Sequence, residues 1–459
     1  MSTYILGLAS NEAAAKLDAL QQIARQQQVQ VFNASDARNR MLFFAFDGTG
    51  NNKDDPSLGL PTNVAHLYNA AKTGLTQAGA GDAFYFKGPG TQDNAAAWLI
   101  DTATGATVPS TVAEAYNRLV VYANQNPDTH ITIGTTGFSR GAATARAFLN
   151  TVWDNGIPDT SSRVSLGTDP ISGQERFGYT RYLVPPETAD LGIAMLYDTV
   201  ATGIARQESL QRIPPAPSLQ VYQIYAEDEH RSAFALDSAI DPGNPGDPRI
   251  HQWGSPGAHS DIAGFYQENG IALRTLDAGR NLIKNSGIPV AELPAALQYN
   301  GQPLTIHDSF KGMYGPDAGP QSGGYVFESR LQNARTYDNP GTLTGRSIQN
   351  FDDGSKIETL TYAGGSKEVV DRNNAWQTLR STTSTYNSDG SLHSRDVVWP
   401  QADGSRTTEH YNGSGVLQSS TNSKIFDDGS RLDTLTTPGG SEILNAYDID
   451  GELSGRGKT

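Results

Sequence analysis

Apolar residues along the chain form two distinct textures. In the first, short unbroken apolar runs recur: Met41-Leu-Phe-Phe-Ala-Phe46, His130-Ile-Thr-Ile-Gly-Thr-Thr136, Ala194-Met-Leu-Tyr197 and Leu219-Gln-Val-Tyr-Gln-Ile-Tyr225. A short apolar run bounded by turn residues predicts a strand covered on both faces, as in a parallel sheet. Between these runs, residues 111–124 and 142–152 show helical spacing. Strands alternating with helices predict an α/β fold with a mostly parallel sheet and flanking helices. Upstream, residues 11–28 predict a helix. Ser10 or Asn11 can cap it, Glu12 lies in its first turn, and Leu17, Leu20 and Ile23 recur at helical intervals.

The second texture begins near residue 340. Phe351-Asp-Asp-Gly-Ser-Lys-Ile-Glu-Thr-Leu-Thr361 nearly repeats as Phe426-Asp-Asp-Gly-Ser-Arg-Leu-Asp-Thr-Leu-Thr436. Each copy runs on into Gly-Gly-Ser, at Gly364 and at Gly439, and further Asp-Gly pairs stand at Asp389-Gly390, Asp403-Gly404 and Asp450-Gly451. Asp-Gly between alternating Thr-rich segments is a strong hairpin signal, so the tail reads as an antiparallel β-hairpin repeat module. Three parts are expected: a helical segment at 1–40, an α/β domain at 41–335, and the β-hairpin module at 340–459.

Composition narrows the chemistry. The 459 residues include 48 glycines and 24 prolines but no cysteine, and the net charge is −15. Without cysteine there are no disulfides, thiolate metal sites or thiol nucleophile. The negative balance opposes nucleic-acid binding, which needs basic patches. No apolar run reaches the roughly 18 residues of a membrane-spanning helix. The first ten residues lack a basic region and a long apolar core, so no cleavable signal peptide is expected.

Gly137-Phe138-Ser139-Arg140-Gly141 follows an expected strand and opens an expected helix, the setting of a nucleophile elbow. Ser139 is the candidate nucleophile, with Gly137 and Gly141 allowing the tight turn. The Arg140 N–H is one candidate oxyanion donor, and Gly48 or Thr49, after the first buried strand, offers the second. Residues 41–335 are therefore expected to form an α/β-hydrolase-like catalytic domain, a fold in which the acid and then the histidine follow the serine along the chain. Asp198 stands at the end of an apolar strand, the expected place for the acid. His259 lies in a Gly/Pro-rich loop and is the first candidate base, with His307 its rival. His230 sits in the charged run Ala226-Glu-Asp-Glu-His-Arg231, and His393 and His410 fall in the tail. No Gly-Lys-Ser/Thr follows Asp47-Gly48-Thr49-Gly50, so a P-loop is rejected. Asp47, Asp54, Asp55 and Asp228 are a rival metal cluster whose spacing matches no known loop. No cofactor and no metal are expected.

Five blocks occur in a fixed order: Phe46-Asp-Gly-Thr-Gly-Asn-Asn52, Gly137-Phe-Ser-Arg-Gly-Ala142, Tyr197-Asp-Thr-Val-Ala201, Asp228-Glu-His-Arg231 and Pro256-Gly-Ala-His-Ser-Asp-Ile-Ala-Gly264. In these, over about residues 41–310, the chain resembles the catalytic domain of bacterial type VI secretion phospholipase effectors, the Tle class. One departure is Ala263, which stands where the family continues its glycine run and stiffens the loop. The resemblance implies a serine phospholipase with Ser139 as nucleophile, Asp198 as acid and His259 as base, cleaving acyl esters of membrane phospholipids. It also implies delivery from a bacterial cytoplasm by a secretion apparatus, an immunity partner, and peripheral contact with target-cell membranes. A serine esterase of another substrate class, and a non-catalytic adhesion or delivery protein with a vestigial hydrolase domain, are the alternatives. Residues 153–190, long and polar for a crossover, are expected to form a lid or a wall of the substrate site.

Overall fold

A computed structural model describes residues 4–55, 57, 59–91, 108–168, 175–201, 212–241, 244–318, 326, 343–362, 365–373, 378–401, 405–425, 431–447 and 453–458. The chain divides into two units. One comprises Met1–Ser161 and Arg181–Tyr337, the other Ser162–Thr180 and Asp338–Thr459. The expected turns at Asp403-Gly404 and Asp450-Gly451, residues 426–430 of the repeated segment, Gly364, and the boundary between 335 and 340 lie outside the described residues.

The first unit starts with β1 (Ile5–Leu8) and α1 (Asn11–Gln26), then β2 (Asn39–Phe46), α2 (Asn63–Ala78), β3 (Gly81–Phe86), α3 (Val108–Gln125), β4 (His130–Phe138) and α4 (Arg140–Asn155). Next come β5 (Ile157–Pro158), β6 (Arg163–Thr168), β7 (Glu175–Tyr179) and β8 (Tyr182–Val184), of which β6 and β7 belong to the second unit. The first unit continues with β9 (Asp190–Tyr197), β10 (Gln220–Ala226), β11 (Ile250–Ser255), α5 (His259–Ala263), α6 (Gly270–Asn285), β12 (Thr305–His307) and α7 (Ser309–Tyr314). Six described strands form one sheet in the order β11-β10-β9-β4-β2-β3, and every pairing is parallel. The expected apolar runs are its middle strands. They are continuously apolar because helices cover both faces of a parallel sheet. Met41 through Phe46 are all buried, as are Leu191 and Ile193 through Tyr197.

The helices owe their positions to caps and apolar faces. Ser10 Oγ accepts from the Ala13 N–H, which fixes the start of α1. Leu17, Leu20 and Ala24 are its buried face and join the core with Ile271, Leu276 and Leu282 of α6. Ile23, expected on the same face, is exposed instead. Thr62 caps α2 in the same way, its hydroxyl accepting from Ala65 N–H at 3.3 Å. β1 pairs antiparallel with β12, so the N-terminal segment is built into the first unit. Among the described residues no helix is long and apolar enough to cross a membrane.

The second unit is an antiparallel meander of ten described strands, from β13 (Leu343–Asn350) to β22 (Leu453–Lys458), each paired with its sequence neighbours. Alternation is clear in β14 (Lys356–Tyr362), where Lys356, Glu358, Leu360 and Tyr362 face inward. The stretch 153–190, expected as a lid or wall, is split between the units: the β6–β7 hairpin folds with the meander. The Asp352 N–H donates to the Phe177 carbonyl at 2.8 Å, and Arg163 pairs with Asp352 while lying over the Phe177 ring. Arg176 stacks 4.2 Å from the Phe351 ring and faces the buried Asp371 carboxylate at 3.4 Å. Arg380 supplies a second cation to Asp371 at 2.9 Å. Removing the acid would leave two arginines without their shared partner, and such breaks cost about 3–5 kcal/mol when buried. Asp371→Ala should therefore destabilise the second unit by about 3 kcal/mol in urea unfolding. A change below about 0.5 kcal/mol would show that the pairing contributes no net stability.

Candidate active site

The Gly137–Gly141 segment forms a sharp turn between β4 and α4. Ser139 sits at its apex with φ 57° and ψ −127°, a backbone conformation that L residues rarely adopt. The surroundings enforce it. A Cβ on Gly141 would lie 2.2 Å from the Phe46 carbonyl oxygen and 2.3 Å from that of Asp47. A Cβ on Gly137 would meet the Ala142 backbone at 2.6 Å. Both glycines are therefore required by close backbone approach, and the turn presents the Ser139 hydroxyl at the C-terminal edge of the sheet.

Asp198 and His259 meet Ser139 there. Asp198 follows β9, the neighbour of β4, at φ 42°. Its Oδ1 accepts from the Ala226 N–H at 2.9 Å, and its Oδ2 lies 2.5 Å from His259 Nδ1. His259 Nε2 lies 2.8 Å from Ser139 Oγ. With Nδ1 donating to Asp198, Nε2 is left to accept from the serine hydroxyl. The imidazole is flanked by the Phe138 ring at 4.6 Å and the edge-on Phe234 ring at 4.9 Å. Burial pushes the His259 pKa below its ordinary 6.5, against the pull of Asp198, with Arg231 lowering it and Glu229 raising it more weakly.

His307, the rival base, is placed elsewhere. Its Nδ1 lies 2.5 Å from Asp261 Oδ1, its ring stacks on Tyr266 at 3.9 Å, and its Nε2 faces Glu268 at 3.6 Å. It therefore braces the segment that follows His259 and has no bond to Ser139. His230 Nδ1 is bonded to the Val326 carbonyl.

The 47–52 loop lies beside the Ser139 turn. Asp47 organises it: the carboxylate accepts from Tyr85 OH at 2.6 Å, Thr62 Oγ1 at 2.7 Å and the Gly48 N–H at 2.8 Å. Burial nevertheless pushes the Asp47 carboxyl up to about 6, against those three donors. The Gly48 N–H is thus engaged. A Cβ on Gly48 would lie 2.5 Å from the Phe138 ring, so this glycine lets the loop close onto the turn. By contrast, no described residue accepts from the Thr49 N–H, and Thr49 Oγ1 is buried without a partner. The Arg140 N–H belongs to the first turn of α4. Among the described residues no group of three or more His, Asp or Glu side chains is arranged to hold a metal ion. Asp47 and Asp228 are instead engaged by N–H and O–H donors.

Sequence reasoning gave Glu229 and Asp261 no role and placed Asp228 only in a rival metal cluster, whereas all three carboxylates grip the His259 loop. It also passed over the aromatic walls, Phe138 and Phe234. The grip of Asp228 and Glu229 on the loop was not readable locally, because the loop N–H groups that donate to them are about 30 residues distant in sequence.

The steric case for the turn makes a direct prediction. Gly141→Ala should destabilise the first unit by about 2–4 kcal/mol, since neither carbonyl is a flexible side-chain end. A urea midpoint within error of the unmodified chain would contradict the close approach.

No curated protein matches the chain. Among solved structures it is similar to an uncharacterized protein from Pseudomonas aeruginosa, at 19% identity over 64% of this chain and 51% of that one, with a TM-score of 0.36. The chain thus spans about half the length of that protein. It is also similar to esterase B from Lactobacillus rhamnosis, solved with a tributyrin phosphonate inhibitor, at 12% identity over 61% of this chain and 99% of the esterase, TM-score 0.27. A truncated carbohydrate esterase from gut microbiota aligns at 13% identity over 55% of this chain and 95% of that one, TM-score 0.24. Residues 40–166, which carry the Asp47 loop and the Ser139 turn, match the type VI secretion system phospholipase effector family, Tle1-like, catalytic domain.

Proposed function

We propose that this protein is a serine hydrolase that cleaves acyl esters of phospholipids, with Ser139, His259 and Asp198 as its triad. The observation that carries this reading is the continuous relay from Ser139 Oγ to His259 Nε2 at 2.8 Å and from His259 Nδ1 to Asp198 at 2.5 Å. Ser139 Oγ attacks the acyl carbonyl while its proton passes to His259 Nε2, and Asp198 stabilises the imidazolium that forms. The tetrahedral oxyanion is held by the N–H groups of Arg140 and Thr49. Thr49 is favoured over Gly48 because the Gly48 N–H already donates to Asp47. Collapse breaks the ester C–O bond, and His259 returns the proton to the leaving alkoxide. Water, deprotonated by His259, then attacks the acyl-enzyme, and the fatty acid leaves as Ser139 regains its proton.

The phospholipid as substrate, delivery by a bacterial secretion apparatus, and an immunity partner rest on the family match of residues 40–166. On this reading the protein meets target membranes peripherally. The bonded relay speaks against a vestigial domain. A lipid panel set against soluble esters separates a phospholipase from an esterase of another class.

Ser139→Ala should lower kcat on p-nitrophenyl butyrate and on a short-chain phosphatidylcholine by about ten-thousand-fold or more, with an unchanged thermal melt. Retained hydrolysis by a folded variant would overturn the triad. The buried imidazole sets the pH dependence. His259 must be neutral to accept the proton, and burial lowers its pKa. The acid limb of kcat/KM should therefore have its midpoint below the ordinary histidine value of 6.5. An acid limb of kcat/KM centred above pH 7 would contradict this environment.

A further inference from the structure

Three consecutive backbone N–H groups of the His259 loop are each held by a different carboxylate. Gly257 N–H donates to Asp228 Oδ2 at 2.7 Å, Ala258 N–H to Asp261 Oδ2 at 2.9 Å, and His259 N–H to Glu229 Oε2 at 3.2 Å. Asp228 and Glu229 leave the end of β10, and the Asp228 N–H in turn donates to the Gly257 carbonyl at 3.1 Å. Glu229 is the centre of this arrangement. Its side chain is wholly buried, and Arg231 neutralises it through Nε at 2.8 Å, Nη2 at 2.7 Å and the backbone N–H at 2.9 Å. The Arg231 guanidinium lies 3.5 Å from the Phe234 ring, and that ring is the edge-on wall of the His259 imidazole. Glu229 thus reaches the imidazole by two routes, through the His259 backbone and through Arg231 and Phe234.

A buried ion pair adds little net stability, because desolvation offsets its attraction. Geometry is what this one supplies. His259 starts a helix of only five residues on a Gly/Pro loop, and Glu229 is the acceptor of its backbone N–H. A general base displaced by about 1 Å can lose about a hundred-fold in rate.

We infer that Glu229, clamped by Arg231 and seconded by Asp228, is the positioning residue for the catalytic base, a role that rests on the hydrolase reading above. Glu229 touches no reacting atom; it holds His259 Nε2 at the distance from which it takes the serine proton.

The test compares Glu229→Gln and Glu229→Ala with the unmodified full-length chain. In each, the reactive serine is titrated with a fluorophosphonate, and kcat and KM on p-nitrophenyl butyrate are expressed per titrated site. That normalisation removes any loss of folded protein. Glu229→Ala should lower kcat about a hundred-fold, and Glu229→Gln, which keeps an acceptor for the His259 N–H, about ten-fold, with KM moving less than about three-fold. If the alanine variant does not fold, the glutamine variant alone decides. A kcat per titrated site within about two-fold of the unmodified chain, or a change confined to KM, would overturn the positioning role. An unmodified chain that takes up no probe would overturn the hydrolase reading, and the clamp with it.

Discussion

The turn at Ser139 is the constraint on which the rest of the first unit depends. A non-glycine residue at φ 57° costs about 1–3 kcal/mol and persists only where its neighbours leave no alternative. Those neighbours are backbone. α4 packs so closely on the end of β2 that Gly141 admits no Cβ, and β4 runs between β2 and β9 in parallel register. This register brings the ends of β2, β4 and β9 to one edge of the sheet. The Asp47 loop, the Ser139 turn and Asp198 leave from that edge, and β10 and β11 extend it toward the His259 loop.

Several of the polar groups beneath that edge are buried and held by specific partners. Asp47 accepts three hydrogen bonds and so shapes the loop that faces the serine. Arg146 of α4 is wholly buried, donating to Gln223 Oε1 and to the Asp237 carbonyl at 2.9 Å each. Gln223 also accepts from Thr199, the residue after Asp198. The segment that follows Asp198 is thereby tied to the helix that follows Ser139. Such networks fix one arrangement, because any alternative strands a buried donor or acceptor. The −15 charge lies across a chain whose site rests on buried, hydrogen-bonded carboxylates, so overall charge says little about the environment of Ser139.

Much of this was legible in the sequence. The unbroken apolar runs identified β2, β4, β9 and β10, because strands covered on both faces have no polar side to show. Ser139, Asp198 and His259 could be named because a strand-end turn and the chain order of a hydrolase constrain them locally. His259 was preferred to His307 for its Gly/Pro-rich loop and by the family resemblance, but both follow Asp198, and the pairing of His307 with Asp261 emerges only on folding. β3 escaped notice because its apolar run, Ala83-Phe-Tyr-Phe86, is short, and the helices α2 and α6 because polar residues dilute their apolar ones. The β6–β7 hairpin was read as part of a lid or wall of the substrate site, since nothing local in residues 163–179 reveals the distant partners Asp352 and Asp371.

The central claim is that Ser139 is a nucleophile activated by His259. Incubation with a fluorophosphonate, followed by mass mapping of the tryptic peptides, tests it most directly. The account predicts one adduct, on Ser139, formed rapidly in the unmodified chain and at a rate lower by orders of magnitude in His259→Ala. No adduct on Ser139, or an adduct formed equally fast without His259, would contradict it.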